Sequence, residues 1–333
     1  MHGDIPGSSS LSSKLIAGLL VSVGLVLAAC RAGSPAAPAA LPAGVSGVLT
    51  YQRDGNVYSL PLDTKAERKL TDFPAASPAV FSARSPDGAQ LAYIRIEGMG
   101  SVLWLANADA SEARKIVDES SGSAMLERLQ WTPDGTALLY TYHGFQIEGG
   151  IIKGEIYRAE RVEPASGQRT VLAADAEGPT QAPDGYLAFV RTTRAGQQLV
   201  LRDPGGAERV LIGERSFLSL AAPRFAPDGQ RIAFAAVGEG PKSGNAPRPL
   251  QLRLGPPTAY AHGEPWDIWL VDRAGALRQL AKLAEDEPTV AWDRSGQYLA
   301  VSGGTGVYIV DSATGQSFQL AKAGGFGGID WTP

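Results

Sequence analysis

Short apolar runs recur along the chain, and each is entered through the same kind of turn. Leu91-Ala92-Tyr93 follows Ser85-Pro86-Asp87-Gly88, and Leu138-Leu139-Tyr140 follows Trp131-Thr132-Pro133-Asp134-Gly135. Leu187-Ala188-Phe189 follows Ala182-Pro183-Asp184-Gly185, and Ile232-Ala233-Phe234 follows Phe225-Ala226-Pro227-Asp228-Gly229. A degenerate copy, Trp292-Asp293-Arg294-Ser295-Gly296, leads into Leu299-Ala300-Val301, and Trp331-Thr332-Pro333 is a truncated copy. The turn glycines Gly88, Gly135, Gly185, Gly229 and Gly296 are separated by 47, 50, 44 and 67 residues. The runs are short, β-branched or aromatic and bounded by turns, which reads as all-β. A period in the forties with strands on either side of a fixed turn predicts a β-propeller.

The turn explains its own residues. Proline presets φ at the second position of a type I turn, Asp suits the third and Gly accepts φ > 0 at the fourth. The repeated Asp residues are therefore expected to serve turns rather than a ligand or metal. Val48-Leu49-Thr50-Tyr51 and Asn56-Val57-Tyr58-Ser59-Leu60 flank an Arg53-Asp54-Gly55 hairpin signal, and Arg68-Lys69-Leu70-Thr71 follows. These match the second, third and fourth strands of later repeats, and Gly328 to Thr332 matches a first strand. The two ends are thus predicted to share one blade, which removes open sheet edges. Further blades are expected at about 78–119, 124–172, 177–212, 220–283 and 288–321, giving six in all. The aromatics before the turns (Trp131, Phe225, Trp292, Trp331) and in the third strands (Tyr58, Trp104, Tyr157, Trp269, Tyr308) are expected to pack between blades.

Two segments break the period. The connection between the second and third strands of the third blade, about 143–155, is long, and the equivalent connection of the fifth blade, about 238–265, is longer. Both are expected on one face, around one mouth of the central channel, with Glu285, Asp286 and Glu287 beside them. Long loops in compact domains carry function or lack order. The candidate partner-binding residues are His143 and Phe145 in the first segment, Arg248, Arg253, Tyr260 and His262 in the second, and the acidic run Glu285-Asp286-Glu287.

Composition changes the picture mainly at the amino-terminal end. The apolar run 15–28 follows Lys14 and ends in Leu27-Ala28-Ala29-Cys30, where Cys30 is the single cysteine of the 333-residue chain. The run is short for a membrane span and has the shape of a secretory h-region. The tetrapeptide resembles the bacterial lipobox. The sequence is thus expected to carry a lipoprotein signal peptide over 1–29, a lipidated Cys30 and an Ala/Pro-rich linker to residue 46, with the propeller over 47–333. Roughly 17 linker residues would reach up to ~50 Å in a polyproline conformation. Such a protein is an exported bacterial lipoprotein held to a membrane and facing the periplasm or the cell exterior. A net charge of −4 lacks the basic surface that non-specific nucleic-acid binding needs.

The sequence lacks a G-x-S-x-G elbow, H-E-x-x-H, G-x-G-x-x-G and a Walker loop. No cofactor or metal is expected. The repeats resemble the WD-like propeller repeats of the TolB-like family, whose W-S-P-D-G turn precedes an apolar strand and, later, a D-I-Y-type strand. Asp267-Ile268-Trp269-Leu270-Val271-Asp272 matches that last element. The resemblance spans nearly all of 47–333 and implies a fold more than a function. The function expected is a monomeric, membrane-anchored module that binds an envelope protein or peptide on the face of the long connections. The alternative is a hydrolase or lyase at the channel mouth, acting on carbohydrate or a small molecule.

Overall fold

The computed structural model describes residues 41–241 and 265–333. The expected signal peptide, Cys30 and most of the expected linker lie outside the described residues, as do Arg248, Arg253, Tyr260 and His262. Among the described residues, six four-stranded antiparallel sheets form the blades of a six-bladed propeller. Each blade runs outward from the channel in chain order, β4 (Ala79–Arg84), β5 (Gln90–Glu97), β6 (Gly100–Asn107) and β7 (Arg114–Asp118) being one example. The first blade departs from that order: β24 (Ile329–Thr332) is innermost, followed by β1 (Val48–Arg53), β2 (Asn56–Pro61) and β3 (Arg68–Lys69). The closing register pairs Val48 with Thr332 and Tyr51 with Ile329.

The tight turns behave as their residues require. In the turn at Thr132, the Gly135 amide donates to Thr132 O at 2.9 Å, and Asp134 Oδ1 accepts the Thr136 amide at 3.1 Å. Asp87 and Asp228 repeat this pattern at Ala89 and Gln230. Asp184 differs, because its carboxylate is gripped at both oxygens by Arg273 at 2.7 Å.

A blade's second strand has neighbours on both faces, so its side chains are buried whichever way they point. Leu91 to Ile94, Leu138 to Thr141 and Ile232 to Val237 are all buried, which is why these strands read as unbroken apolar runs rather than alternating ones. One apolar cluster fills each of the six blade interfaces. Trp131, Phe225 and Trp292 lie in these clusters with 6–8% exposure, whereas Trp331 is half-buried. Trp131 Nε1 donates to Ala83 O of the preceding blade at 3.1 Å, and Trp292 Nε1 makes the same bond to Arg224 O at 3.1 Å. Of the third-strand aromatics, Trp269 is buried and Tyr58, Trp104, Tyr157 and Tyr308 are half-buried. Ahead of the first blade, Leu41 and Val45 pack against the cluster between the first and sixth blades.

The connection expected as a long loop in the third blade is instead a two-stranded ribbon. β9 (Leu138–Glu148) and β10 (Ile151–Val162) pair from Leu138–Val162 out to Glu148–Ile151, with one register shift between Ile152 and Gly154, and turn through Gly149-Gly150. Both glycines have positive φ, 59° and 78°, as a two-residue hairpin twisted to match its strands demands.

Candidate functional site

The innermost strands bring charge to the channel through a shared irregularity. β8 (Ala124–Trp131), β12 (Ala176–Gln181) and β16 (Ser219–Phe225) each slip register near their middle. At the slips Arg128, Gly178 and Ala222 have φ of 57°, 56° and 51°. A bulge of this kind re-aims the side chains around it. Arg128 pairs with Glu287, which lies between β19 (Leu277–Glu285) and β20 (Thr289–Trp292). The third blade and the connection from the fifth to the sixth blade thereby meet over the channel. Glu287 also holds a positive φ of 44°. Left-handed backbone at a non-glycine residue costs about 1 kcal/mol or more and recurs at functional sites, and here both members of one ion pair carry it.

His143 stands beside this pair at the root of the ribbon. Its backbone neighbours are Met125 on β8 and Tyr157 on β10. Its ring stacks on Tyr157 at 4.1 Å between centroids and meets Phe145 at 4.6 Å. Nδ1 shares a hydrogen bond of 3.1 Å with Glu127 Oε1, and Nε2 lies 3.4 Å from Glu155 Oε2, at ion-pair distance. Burial pulls the imidazole pKa down, but the Glu127 and Glu155 carboxylates outweigh it and leave the value raised. Burial also raises the Glu177 carboxyl, helped by Glu127 and opposed by Arg128, the Thr192 hydroxyl and His143. Thr192 Oγ1 donates to Glu177 Oε1 at 3.1 Å.

Chemically, this is an imidazole held between two carboxylates that favour its charged form, next to an ion pair that spans the channel. Nδ1 is hydrogen-bonded, whereas Nε2 is buried without a hydrogen-bond partner of its own. Among the described residues, no group of three or more His, Cys, Asp and Glu side chains is placed to hold a metal ion.

Beyond the cluster the ribbon changes character. Ile147, Ile151 and Ile152 at its tip are 50%, 60% and 54% exposed. The free end of the ribbon thus carries three exposed isoleucines.

The structure separates the acidic run Glu285-Asp286-Glu287 into different roles. Glu285 is buried, and its carboxylate accepts the Thr305 hydroxyl and the Thr305 amide, the latter at 2.9 Å. It braces the hairpin between β21 (Tyr298–Ser302) and β22 (Val307–Asp311) instead of standing on a rim. Glu287 reaches Arg128, and Asp286 lies half-buried between them. His143 and Phe145 are brought into ring contact as part of the cluster. Reasoning from sequence passed over Glu127, Arg128 and Glu177 and took Tyr157 for a core aromatic. The available signal was the charge inside otherwise apolar first strands, Leu126-Glu127-Arg128-Leu129 and Ala176-Glu177-Gly178.

The architecture defines the class as a six-bladed β-propeller. Solved structures with the same form include TolB from Acinetobacter baumannii, with a TM-score of 0.63 and 17% identity over 86% of this chain and 67% of that one. A chain of the nidogen/laminin complex is similar at a TM-score of 0.59 and 14% identity, over 85% of this chain and 97% of that one. Oligogalacturonate lyase in complex with manganese aligns at a TM-score of 0.50 and 17% identity, over 80% and 70% of the two chains. At these identities the likeness extends to the fold and stops there. No family model and no curated protein matches the chain.

Proposed function

We propose that this propeller is a binding module that engages a protein or peptide partner on the face carrying the ribbon, and that it is exported and held to a membrane by a lipid on Cys30. The observation that carries the reading is the exposed isoleucine tip at Ile147, Ile151 and Ile152, raised on a ribbon above the charged cluster at the channel mouth. An apolar anchor beside a ring of fixed charges is the usual layout of a contact surface, the apolar part supplying affinity and the charges orientation.

Strand direction supports the tether. β1 runs antiparallel to β24, so Val48 sits opposite Thr332, at the end of the propeller where the Pro-Asp-Gly turns lie. The ribbon turns at the other end. A membrane anchor entering through Gly47 would therefore point the ribbon face away from the bilayer. Among proteins of similar fold, the nidogen/laminin complex is an assembly between proteins, which agrees with this reading.

The competing reading, a hydrolase or lyase at the channel mouth, draws on the raised Glu177 carboxyl beside His143. One experiment separates the two. The full chain and a variant with Ile147, Ile151 and Ile152 all changed to Ser are used to enrich partners from detergent-solubilised envelope. A partner held by the native chain and lost by the variant is the expected result. Identical partner sets, or none beside turnover of a glycan panel that Glu177→Gln abolishes, would reverse the assignment in favour of the enzyme.

A further inference from the structure

The turn face, opposite the ribbon, opens as a funnel of about 530 Å³, a size within the range of small-molecule sites. Its walls are Trp131, Trp292 and Trp331 with the turn prolines, and its floor is formed by Arg84, Arg224 and Asp330. Arg224 also lines the narrower space above, so it stands at the throat.

The two arginines of the floor are satisfied to different degrees. Arg84 directs its guanidinium to three neutral acceptors: Thr50 Oγ1 at 2.9 Å, Gly88 O at 3.0 Å and Ala108 O at 2.9 Å. Its charge faces no carboxylate there. Asp330 accepts the Arg84 backbone amide at 2.8 Å with Oδ2 and pairs with one Arg224 Nη through Oδ1. Asp330 thus pairs with the Arg224 guanidinium and with the backbone of Arg84. Of the five N–H donors on Arg224, the one given to Asp330 is the one with a protein acceptor among the described residues. The carboxylates nearer the rim are occupied by their own turns, Asp87 by Ser85 and Ala89, Asp293 by Ser295 and Tyr298. The Arg224 side chain keeps 20% of its surface exposed and lines both spaces. Burial draws its pKa down to about 10, which leaves it charged at neutral pH. A half-buried guanidinium with donors left over can take a further acceptor from a ligand.

We propose that the funnel is a binding site for a small organic carboxylate, received by the free edge of the Arg224 guanidinium. The unused donors of one guanidinium match a single carboxylate. The walls exclude a bare inorganic anion as the natural fit. The three indole N–H groups are already donated to Ala83 O, Arg224 O and Ser46 O, so the rings and prolines present apolar surface to the body of a ligand. A planar or cyclic acid satisfies both parts of the site. The funnel lies on the face away from the proposed partner surface, so the two readings stand or fall separately.

The test is calorimetric titration of the full chain with 2-naphthoate and with the isosteric 2-naphthamide, repeated on Arg224→Gln. Naphthoate should bind at least about tenfold more tightly than the amide, and Arg224→Gln should erase that difference, since a charge-assisted pair is roughly twice as strong as a neutral one. Absence of naphthoate binding, equal affinity for the amide, or an unchanged Arg224→Gln variant would overturn the proposal. If Arg224→Gln fails to fold, native crystals soaked in 4-bromobenzoate decide the matter. A bromine signal in the funnel with the carboxylate on Arg224 supports the site, and its absence there refutes it.

Discussion

Trp131 and Trp331 occupy the same place in the repeat, yet the structure predicts different costs for replacing each by Phe. Trp131 is 8% exposed and its indole N–H satisfies Ala83 O across the interface of the second and third blades at 3.1 Å. In Trp131→Phe that carbonyl is left buried without its donor, costing about 1–3 kcal/mol. The smaller ring also gives up roughly 50 Å² of buried apolar surface, worth about 1.2 kcal/mol at ~25 cal/mol per Å². Together these give about 2–4 kcal/mol, or a fall in Tm of about 4–16 °C at 2–4 °C per kcal/mol. Trp331 bonds Ser46 O at 2.8 Å in a half-buried setting where water replaces the lost donor. Trp331→Phe should therefore cost about 1 kcal/mol or less. Thermal denaturation of both variants by circular dichroism, checked by urea midpoints at equal slope, measures the difference. Equal destabilisation by the two variants would refute the argument that the inter-blade hydrogen bond, rather than the repeat position, sets the cost.

The remaining predictions concern the channel mouth and its brace. The His143 pKa is raised in the fold, so its contribution to stability is fully present below its ordinary value near 6.5 and is lost as pH rises through the folded value. The stability gap between the native chain and His143→Gln should thus be widest near pH 6 and shrink towards pH 9; a gap that grows with pH in urea titrations would contradict the Glu127–His143–Glu155 clamp. At Gly303 an added Cβ would lie 2.4 Å from Glu285 Oε2, so Gly303→Ala must displace a buried carboxylate and should cost about 1–3 kcal/mol. A melting temperature within a degree of native would show that Glu285 does not brace the 303–306 hairpin. Asp184→Asn loses the paired contact to Arg273, but Asp184 is half exposed, so the loss should stay near or below about 1 kcal/mol in the same melts.

The blades were legible because their information is local. A Pro-Asp-Gly turn followed by three or four apolar residues fixes a hairpin wherever it occurs, and even Trp292-Asp293-Arg294-Ser295-Gly296 keeps the Gly296–Asp293 turn bond. The shared first blade was legible for a related reason, since a first strand at one end and three later strands at the other leave one arrangement without open edges. The ribbon was also written locally, in Gly149-Gly150 between residues of β9 and β10, but its length suggested a loop. The site was far less readable. Arg128 and Glu287 are 159 residues apart, and nothing near either one announces the other. The run Glu285-Asp286-Glu287 looks uniform in sequence, whereas the fold buries the first carboxylate under Thr305 and carries the third to the channel.

That contrast follows from how a propeller is assembled. Packing between blades repeats six times and tolerates the same residue types each time, so it leaves a periodic trace. The channel is where six different first strands converge, and each contributes what its neighbours do not. Asp330, Gln130, Thr180 and Arg224 occupy comparable positions ahead of their turns, yet one is acidic, one basic and two neutral. Departures from the repeat at channel-facing positions are therefore where this fold holds its specificity, and both ends of this channel show them. The ribbon end joins a strained Arg128–Glu287 pair to the His143 clamp, and the turn end leaves Arg224 with donors to spare. Replacing Arg128 should disturb recognition at the ribbon face without altering naphthoate affinity in the funnel, because the Arg84–Asp330–Arg224 floor shares no hydrogen bond with it. A variant such as Arg128→Gln that weakened both together would show instead that the two mouths are coupled through the throat.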